Sequence, residues 1–197
     1  MEKTVLITGC SSGFGRELCN EFKDCGYYVI ATARNVMKLS DVKAVLPVMR
    51  KHGGGRIYNI GSISGRMTGI ANGGYCSSKY VIEAITEAAR YETKDMGIEI
   101  CVIEPGAMDT DFFGTLARNS DEKMKDPDSC YRKIYERDLN FRSRQAKSDV
   151  QICAKRLLQI NEDKKLKVRY TIGVSWIYRV FTIMPDGLKE WAVRRFN

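Results

Sequence analysis

An α/β, doubly wound parallel sheet is predicted by three features of the 197-residue sequence. Short apolar runs alternate with stretches of helical periodicity, a glycine-rich turn joins the first run to the first helix, and the length suits one hydrophobic core rather than two linked domains. Residues 1–197 therefore read as one domain, with 107–147 as a substrate-loop region and 148–197 as a C-terminal extension.

Thr4–Thr8 is apolar and runs into a glycine, which predicts a strand, and Phe14, Leu18, Phe22 and Cys25 recur at helical spacing after it. Tyr27–Ala33 predicts a second strand. Met37–Lys51 reads as a helix kinked at Pro47, because proline removes one amide donor and crowds the preceding turn. Arg56–Ile60 predicts a buried strand. A long helix over Tyr75–Met96, with Val81, Ile85, Ala88 and Ala89 on one face, leads to a strand over Glu99–Glu104 that Pro105-Gly106 terminates. Asn119–Lys147 is charged and aperiodic, which predicts a mobile flap. Val150, Cys153, Leu157 and Ile160 mark another helix, Val168–Ile172 another strand, and amphipathic pieces surround Trp176, Phe181 and Trp191.

The turn Thr8-Gly9-Cys10-Ser11-Ser12-Gly13-Phe14-Gly15 falls between first strand and first helix. Side chains there would keep a ligand from the backbone, and glycine removes them. The amides that open the helix then face a pyrophosphate, whose charge the helix dipole favours, and Ser11 and Ser12 add hydroxyl donors. Arg34 follows the second strand where a carboxylate would hold the ribose diol of NAD, and its planar fork suits a 2′-phosphate instead. NADP is the expected cofactor, with NAD as the alternative. A plain structural turn and a solvated arginine are the competing readings.

Tyr75 and Lys79 stand four residues apart at the start of a helix, so their side chains share a face one turn apart. A free phenol titrates near pH ~10. A neighbouring ammonium is expected to lower that value by favouring phenolate. Ser62 lies thirteen residues before Tyr75, just past a strand, where its hydroxyl can hold and polarise a substrate carbonyl. Ser64 is a nearby competitor, and a turn-capping serine is the plainer alternative.

With these residues in place the chain resembles the short-chain dehydrogenase/reductase family. The T-G-x-x-x-G-x-G turn is matched at Thr8 to Gly15, the Y-x-x-x-K pair at Tyr75 and Lys79, the serine at Ser62, and the later P-G…T at Pro105, Gly106 and Thr110. The resemblance implies a Rossmann-like sheet and an oxidoreductase that moves hydride between NADP(H) and an alcohol or ketone. It makes Tyr75 the general acid/base, Lys79 a holder of the nicotinamide ribose, Ser62 a substrate-orienting group, and Pro105 to Thr110 a support for the carboxamide. Gly9, Ser11, Ser12, Gly13, Phe14, Gly15 and Arg34 fall to cofactor binding. The turn Thr8 to Gly15 and the stretch Asn59 to Lys79 most resemble hydroxysteroid and retinol dehydrogenases, with broad-specificity carbonyl reductases sharing much of this, and Phe112, Phe113, Tyr131, Tyr135, Trp176 and Trp191 supply apolar area for a bulky hydrophobic substrate. Family likeness also implies a homo-oligomer built on the Met37–Lys51 and Tyr75–Met96 helices.

The family pattern is interrupted between Arg34 and Val42, where middle strands and helices are missing together with an N-A-G segment and the asparagine usually assigned to a water relay. The strand ending at Ile60 must therefore close directly on the first strand, or the sheet stays imperfect. A catalytically impaired cofactor-binding or regulatory remnant is the alternative function.

Composition narrows the field further. The single histidine, His52, excludes most Ser-His-Asp and metal mechanisms, and seven scattered cysteines predict neither disulfides nor zinc. The net charge of +8 is interspersed with acidic residues and lacks aromatic interleaving, so nucleic acid is not the expected partner. No run reaches the roughly 20 apolar residues of a membrane span, and the first residues do not resemble a secretory signal. A cytoplasmic location is expected. The basic, aromatic stretch Ile177–Phe196 permits weak membrane-surface contact.

Overall fold

The computed structural model describes residues 4–8, 13–32, 46–111, 114, 118, 126 and 128–196. Among them β1 (Thr4–Thr8), β2 (Tyr28–Thr32), β3 (Gly55–Ile60), β4 (Ile98–Pro105) and β5 (Arg169–Ile172) form one sheet in the order β2-β1-β3-β4-β5, with every pairing parallel. The helices are α1 (Gly13–Asp24), α2 (Gly73–Glu92), α3 (Arg132–Ser143), α4 (Val150–Asn161), α5 (Trp176–Ile183) and α6 (Asp186–Phe196), with a helical segment at 46–51. The predicted doubly wound class is the observed one.

Both faces of the sheet are covered, which is why its strands read as continuous apolar runs. On one face Val5, Ile7, Tyr58, Cys101 and Ile103 pack with Leu18 and Phe22 of α1 and Ala154, Leu157 and Ile160 of α4. On the other, Leu6, Ile57, Ile98 and Ile100 meet Ala89 of α2, with Leu46, Met49 and Met96 at the margin. Fully burying a side chain of this size contributes about 1.5–3 kcal/mol, so these two layers dominate the stability.

The sheet closes over the missing segment. β3 pairs directly with β1 through Val5↔Arg56, Leu6↔Ile57 and Ile7↔Tyr58. The seam is reinforced from α4: the Tyr58 hydroxyl donates to Asn161 Oδ1 at 2.6 Å, and Asn161 Nδ2 donates to the Tyr27 hydroxyl at 2.7 Å. Arg56 crosses the same edge, donating to Glu99 at 2.8 Å and to the Asn161 and Asp163 carbonyls. Entry to β3 requires glycine at position 54, since φ is +113° and a Cβ would lie 2.0 Å from the Gly97 oxygen.

Two sequence expectations change. Residues expected to form a mobile flap include a regular helix, α3, whose side chains are all at least partly exposed. It is held by charge pairs one turn apart, Arg132–Glu136 at 3.1 Å and Arg142–Asp138 at 2.7 Å, rather than by an apolar stripe, so hydrophobic periodicity does not reveal it. The helix expected over Tyr75–Met96 begins at Gly73 and ends at Glu92, because the Thr93 hydroxyl donates to the Ala89 carbonyl and Gly97, at φ +67°, turns the chain into β4. The expected kink at Pro47 concerns residues 37–45, outside the described residues. Cys76, Cys101 and Cys153 are buried free thiols, whereas Cys25 and Cys130 are exposed.

Candidate active site

After β1 the chain crosses to β2 on one side and then returns to β3 on the other, so the winding reverses between β1 and β3. In open α/β sheets this reversal opens a crevice outside the carboxyl ends of the strands. β1 ends there, α1 starts there with Gly13, and Gly15 is buried in its first turn. Gly9, Ser11, Ser12 and Arg34 lie outside the described residues. Phe14 belongs to α1 by its backbone.

β3 delivers Ser62 to the same edge. Gly61 continues the β3–β4 ladder by donating its amide to the Ile103 carbonyl at 2.9 Å, and Ser62 follows in extended conformation as the cap of a short 3-10 turn, Ile63–Gly65. Ser62 is 8% exposed, and its Oγ accepts from the Ser64 amide at 3.2 Å. The capping role and the candidate catalytic role thus coexist in one side chain.

Tyr75 sits in the first turn of α2 and Lys79 one turn later. The Ser62 hydroxyl lies close enough to the phenol to lower its proton affinity. The Lys79 ammonium lies 5.7 Å from the Tyr75 ring centroid and donates to the Ile60 carbonyl at 3.3 Å, which ties α2 to the end of β3. The three residues singled out in the sequence therefore converge.

Their proton affinities differ from the expected pattern. Burial pushes the Tyr75 phenol above its usual 10, and the nearby Ser62 hydroxyl and the charge of Arg142 oppose this. Burial lowers the Lys79 amine. Lys79 is poorly solvated, and its ammonium is held at the Ile60 carbonyl. Arg142 went unrecognised in the sequence. It belongs to α3, and the only signal was its one-turn pairing with Asp138.

β4 supplies the third wall. At Gly106 the amide donates to the Ile172 carbonyl at 2.9 Å, and a Cβ would stand 2.2 Å from the Gly173 oxygen, so the P-G turn can pass only as glycine. Beyond it Met108 bridges to Ser148, and the Thr110 amide donates to the Met108 carbonyl at 3.0 Å. Thr110 is partly exposed on the continuing segment.

Two clefts stand out among the described residues. One of about 660 Å³ lies between segment 46–51 and the end of α2, lined by Leu46, Pro47, Glu92 and Met96, remote from Tyr75. The other, about 380 Å³, is lined by Arg66, Glu104, Arg169 and residues of α5 including Arg179. Volume alone therefore does not locate the chemistry. Among the described residues there is no cluster of histidine, cysteine and carboxylate groups able to hold a metal ion.

The sequence pattern of the short chain dehydrogenase family matches residues 39–121. The chain is 38% identical over 135 residues to the uncharacterized oxidoreductase YusZ of Bacillus subtilis, covering 66% of this chain and 48% of that protein. It is 33% identical over 127 residues to the mitochondrial D-beta-hydroxybutyrate dehydrogenase of Mesocricetus auratus, covering 62% of this chain and 85% of the relative. Among solved structures, a short-chain dehydrogenase from Streptomyces avermitilis shares the fold with a TM-score of 0.67 at 21% identity, covering 98% of this chain and 94% of that one. A serine dehydrogenase complexed with NADP+ aligns with a TM-score of 0.64 at 15% identity, covering 86% and 94%. The chain belongs to the short-chain dehydrogenase/reductase family. Its match spans about half the length of the first curated relatives, 48% and 54%.

Proposed function

We propose that this chain is an oxidoreductase that interconverts a hydrophobic alcohol and its ketone with NADP(H), NAD(H) being the second choice. The observation that carries this reading is the convergence of Ser62, Tyr75 and Lys79 at the carboxyl edge of the sheet. The donor set fits a dinucleotide. Among the described residues Lys79 makes one hydrogen bond, to the Ile60 carbonyl, which leaves ammonium protons for a ribose hydroxyl, and the opening turn of α1 offers amides to a pyrophosphate. Gly9, Ser11, Ser12, Gly13, Phe14, Gly15 and Arg34 would hold the phosphates, and Pro105, Gly106 and Thr110 the nicotinamide end. When bound, the cofactor supplies hydride chemistry.

The chain's own part is proton transfer and orientation. Ser62 donates to the substrate oxygen and aligns it with Tyr75. The Tyr75 phenol, raised by burial, is protonated at neutral pH, so it is equipped to donate its proton to the oxygen of a ketone being reduced. Alcohol oxidation needs the phenolate and is favoured as pH rises. Incubation of the purified protein with NADPH and hydrophobic ketones tests the reading: cofactor consumption falls to background in Tyr75→Phe. Equal consumption by the two proteins rejects it.

A second reading, a cofactor-binding remnant without turnover, is favoured by the direct β1–β3 pairing where the family pattern has further elements. NADPH raising the melting temperature without Tyr75-dependent turnover distinguishes it. Self-association through segment 46–51 and α2 is supported by Val48, Val81 and Tyr91, exposed on those elements, and analytical ultracentrifugation tests it. Exposed Trp176, Ile177, Val180 and Ile183, with Arg194 and Arg195 near the chain end, support weak contact with an anionic membrane surface, to be tested by vesicle co-sedimentation. Among the described residues no helix is long and apolar enough to cross a membrane. A cytoplasmic location and steroid- or retinol-like substrates complete the proposal, as does a division into a single domain with 107–147 over the substrate.

A further inference from the structure

Three buried carboxylate oxygens, Glu83 Oε1 and both oxygens of Glu104, have no hydrogen-bond donor among the described residues. Glu104 is wholly buried at the end of β4, immediately before Pro105, and Glu83 is 7% exposed on α2, one turn beyond Lys79. The Glu83 charge raises the Glu104 carboxyl, so the two groups are in electrostatic contact, gathered about Arg169 Nε at 2.6 Å from Glu83 Oε2 and 3.8 Å from Glu104 Oε1. Carboxylate oxygens only accept, so that contact becomes a hydrogen bond only when one group carries a proton.

The surrounding charges do not remove this need. Arg169 of β5 donates to Glu83 Oε2 at 2.6 Å and stands 3.8 Å from Glu104. It also shares itself with Glu87 of α2 at 3.3 Å. Arg66, beyond the Ser62 turn, is 3.9 Å from Glu104, too far for a hydrogen bond, and Arg179 of α5 lines the same cleft. Burial and the Glu83 charge raise Glu104 to about 7 against the pull of Arg66 and Arg169.

The pair also stands at three segments of the candidate active site: the Ser62 turn, the Tyr75–Lys79 helix and the strand end before Pro105-Gly106. A Cβ on Gly61 would lie 3.5 Å from Glu83 Oε1, and one on Gly65 would lie 3.1 Å from Glu83 Cγ and 2.9 Å from the Lys79 carbonyl. Glu83 thus fills the space under the turn that carries Ser62, while Glu104 anchors the strand end that carries Pro105-Gly106.

We propose that Glu83 and Glu104 share one proton, and that this proton fixes the relative positions of the Ser62 turn, the Tyr75–Lys79 helix and the Pro105-Gly106 turn. They are positioning residues, because neither reaches the reacting atoms. Loss of the proton places two like charges in contact. Glu83 packs beneath Gly61 and Gly65, so its displacement shifts the Ser62 turn and with it the Ser62 hydroxyl beside Tyr75. The consequence for catalysis rests on the oxidoreductase reading; the shared proton does not.

The test is an NMR titration of the full chain between pH 4 and 9, following side-chain carboxyl carbons of labelled glutamate and the amides of Gly61, Gly65 and Gly106. One carboxyl should titrate near 7, the three glycine amides should move with the same midpoint, and both signals should vanish in Glu104→Gln. Glu83→Gln serves as the second variant should the first fail to fold, and it should return Glu104 toward the ordinary carboxylate range. Two carboxyls both titrating below about 5.5 overturn the shared proton, and glycine amides that ignore the midpoint overturn the positioning role. Turnover is then measured across the same range, where Glu104→Gln should flatten a wild-type step in kcat near 7 with little change in KM for cofactor. A chain without turnover defeats the oxidoreductase reading while the titration still decides the shared proton.

Discussion

Glutamine in place of Glu104 removes a carboxyl whose proton affinity the fold raises from its ordinary 4.5 to about 7. An unfolded chain gives up that proton near 4.5, whereas the folded chain keeps it until about 7. The stabilising contribution is therefore complete below 4.5, declines as pH rises through the interval, and is gone once Glu104 ionises in the folded protein. At about 1.4 kcal/mol for each tenfold change in proton affinity, the whole interval represents about 3 kcal/mol. Glu104→Gln keeps the shape and donates an N–H toward Glu83, so its stability should lack this component. Urea denaturation of both proteins at pH 5 to 8 reads the difference directly, since other titrating groups contribute equally to each. The variant should gain on wild type by up to about 3 kcal/mol across that range. A difference that stays constant with pH would refute the reasoning.

Gly65→Ala would place a Cβ 2.9 Å from the Lys79 carbonyl, so the Ser62 turn must separate from α2. A loss of about 1–3 kcal/mol is expected by thermal denaturation, together with reduced turnover. Arg142→Ala removes a charge that lowers the Tyr75 phenol, so the pH profile of alcohol oxidation should move to more alkaline values. An unchanged profile would show that α3 does not act on the phenol. Arg169→Met deprives Glu83 of its 2.6 Å donor and leaves the carboxyl pair without its main counter-charge. It should cost about 3 kcal/mol in denaturant unfolding, with the larger loss at pH 8 than at pH 5.

Much of this arrangement is legible in the chain because burial on both faces makes parallel strands read as apolar runs. Thr4–Thr8, Tyr28–Thr32 and Ile98–Pro105 are of this kind. The Ser62, Tyr75 and Lys79 constellation is legible because its members lie within one strand–turn–helix unit, where spacing fixes geometry. What sequence spacing does not carry is contact between distant segments. The closure of β3 on β1 depends on Tyr27, Tyr58 and Asn161 meeting across the sheet. Glu104 looks like an ordinary strand end until Arg169 and Glu83 are brought to it by β5 and α2. The helix α3 is hidden for a different reason: its charged one-turn pairs produce no hydrophobic period. Sequence spacing gives the proximity of Tyr75 and Lys79 but not the burial that raises the phenol.

In the proposed reaction hydride reaches a substrate carbon while Tyr75 handles the proton. Mass spectrometry of the alcohol formed from a hydrophobic ketone and 4-deuterated NADPH tests it most directly. One deuterium on the carbinol carbon is expected with the wild-type chain, and background labelling with Tyr75→Phe. Unlabelled alcohol, or equal labelling by both proteins, would contradict it.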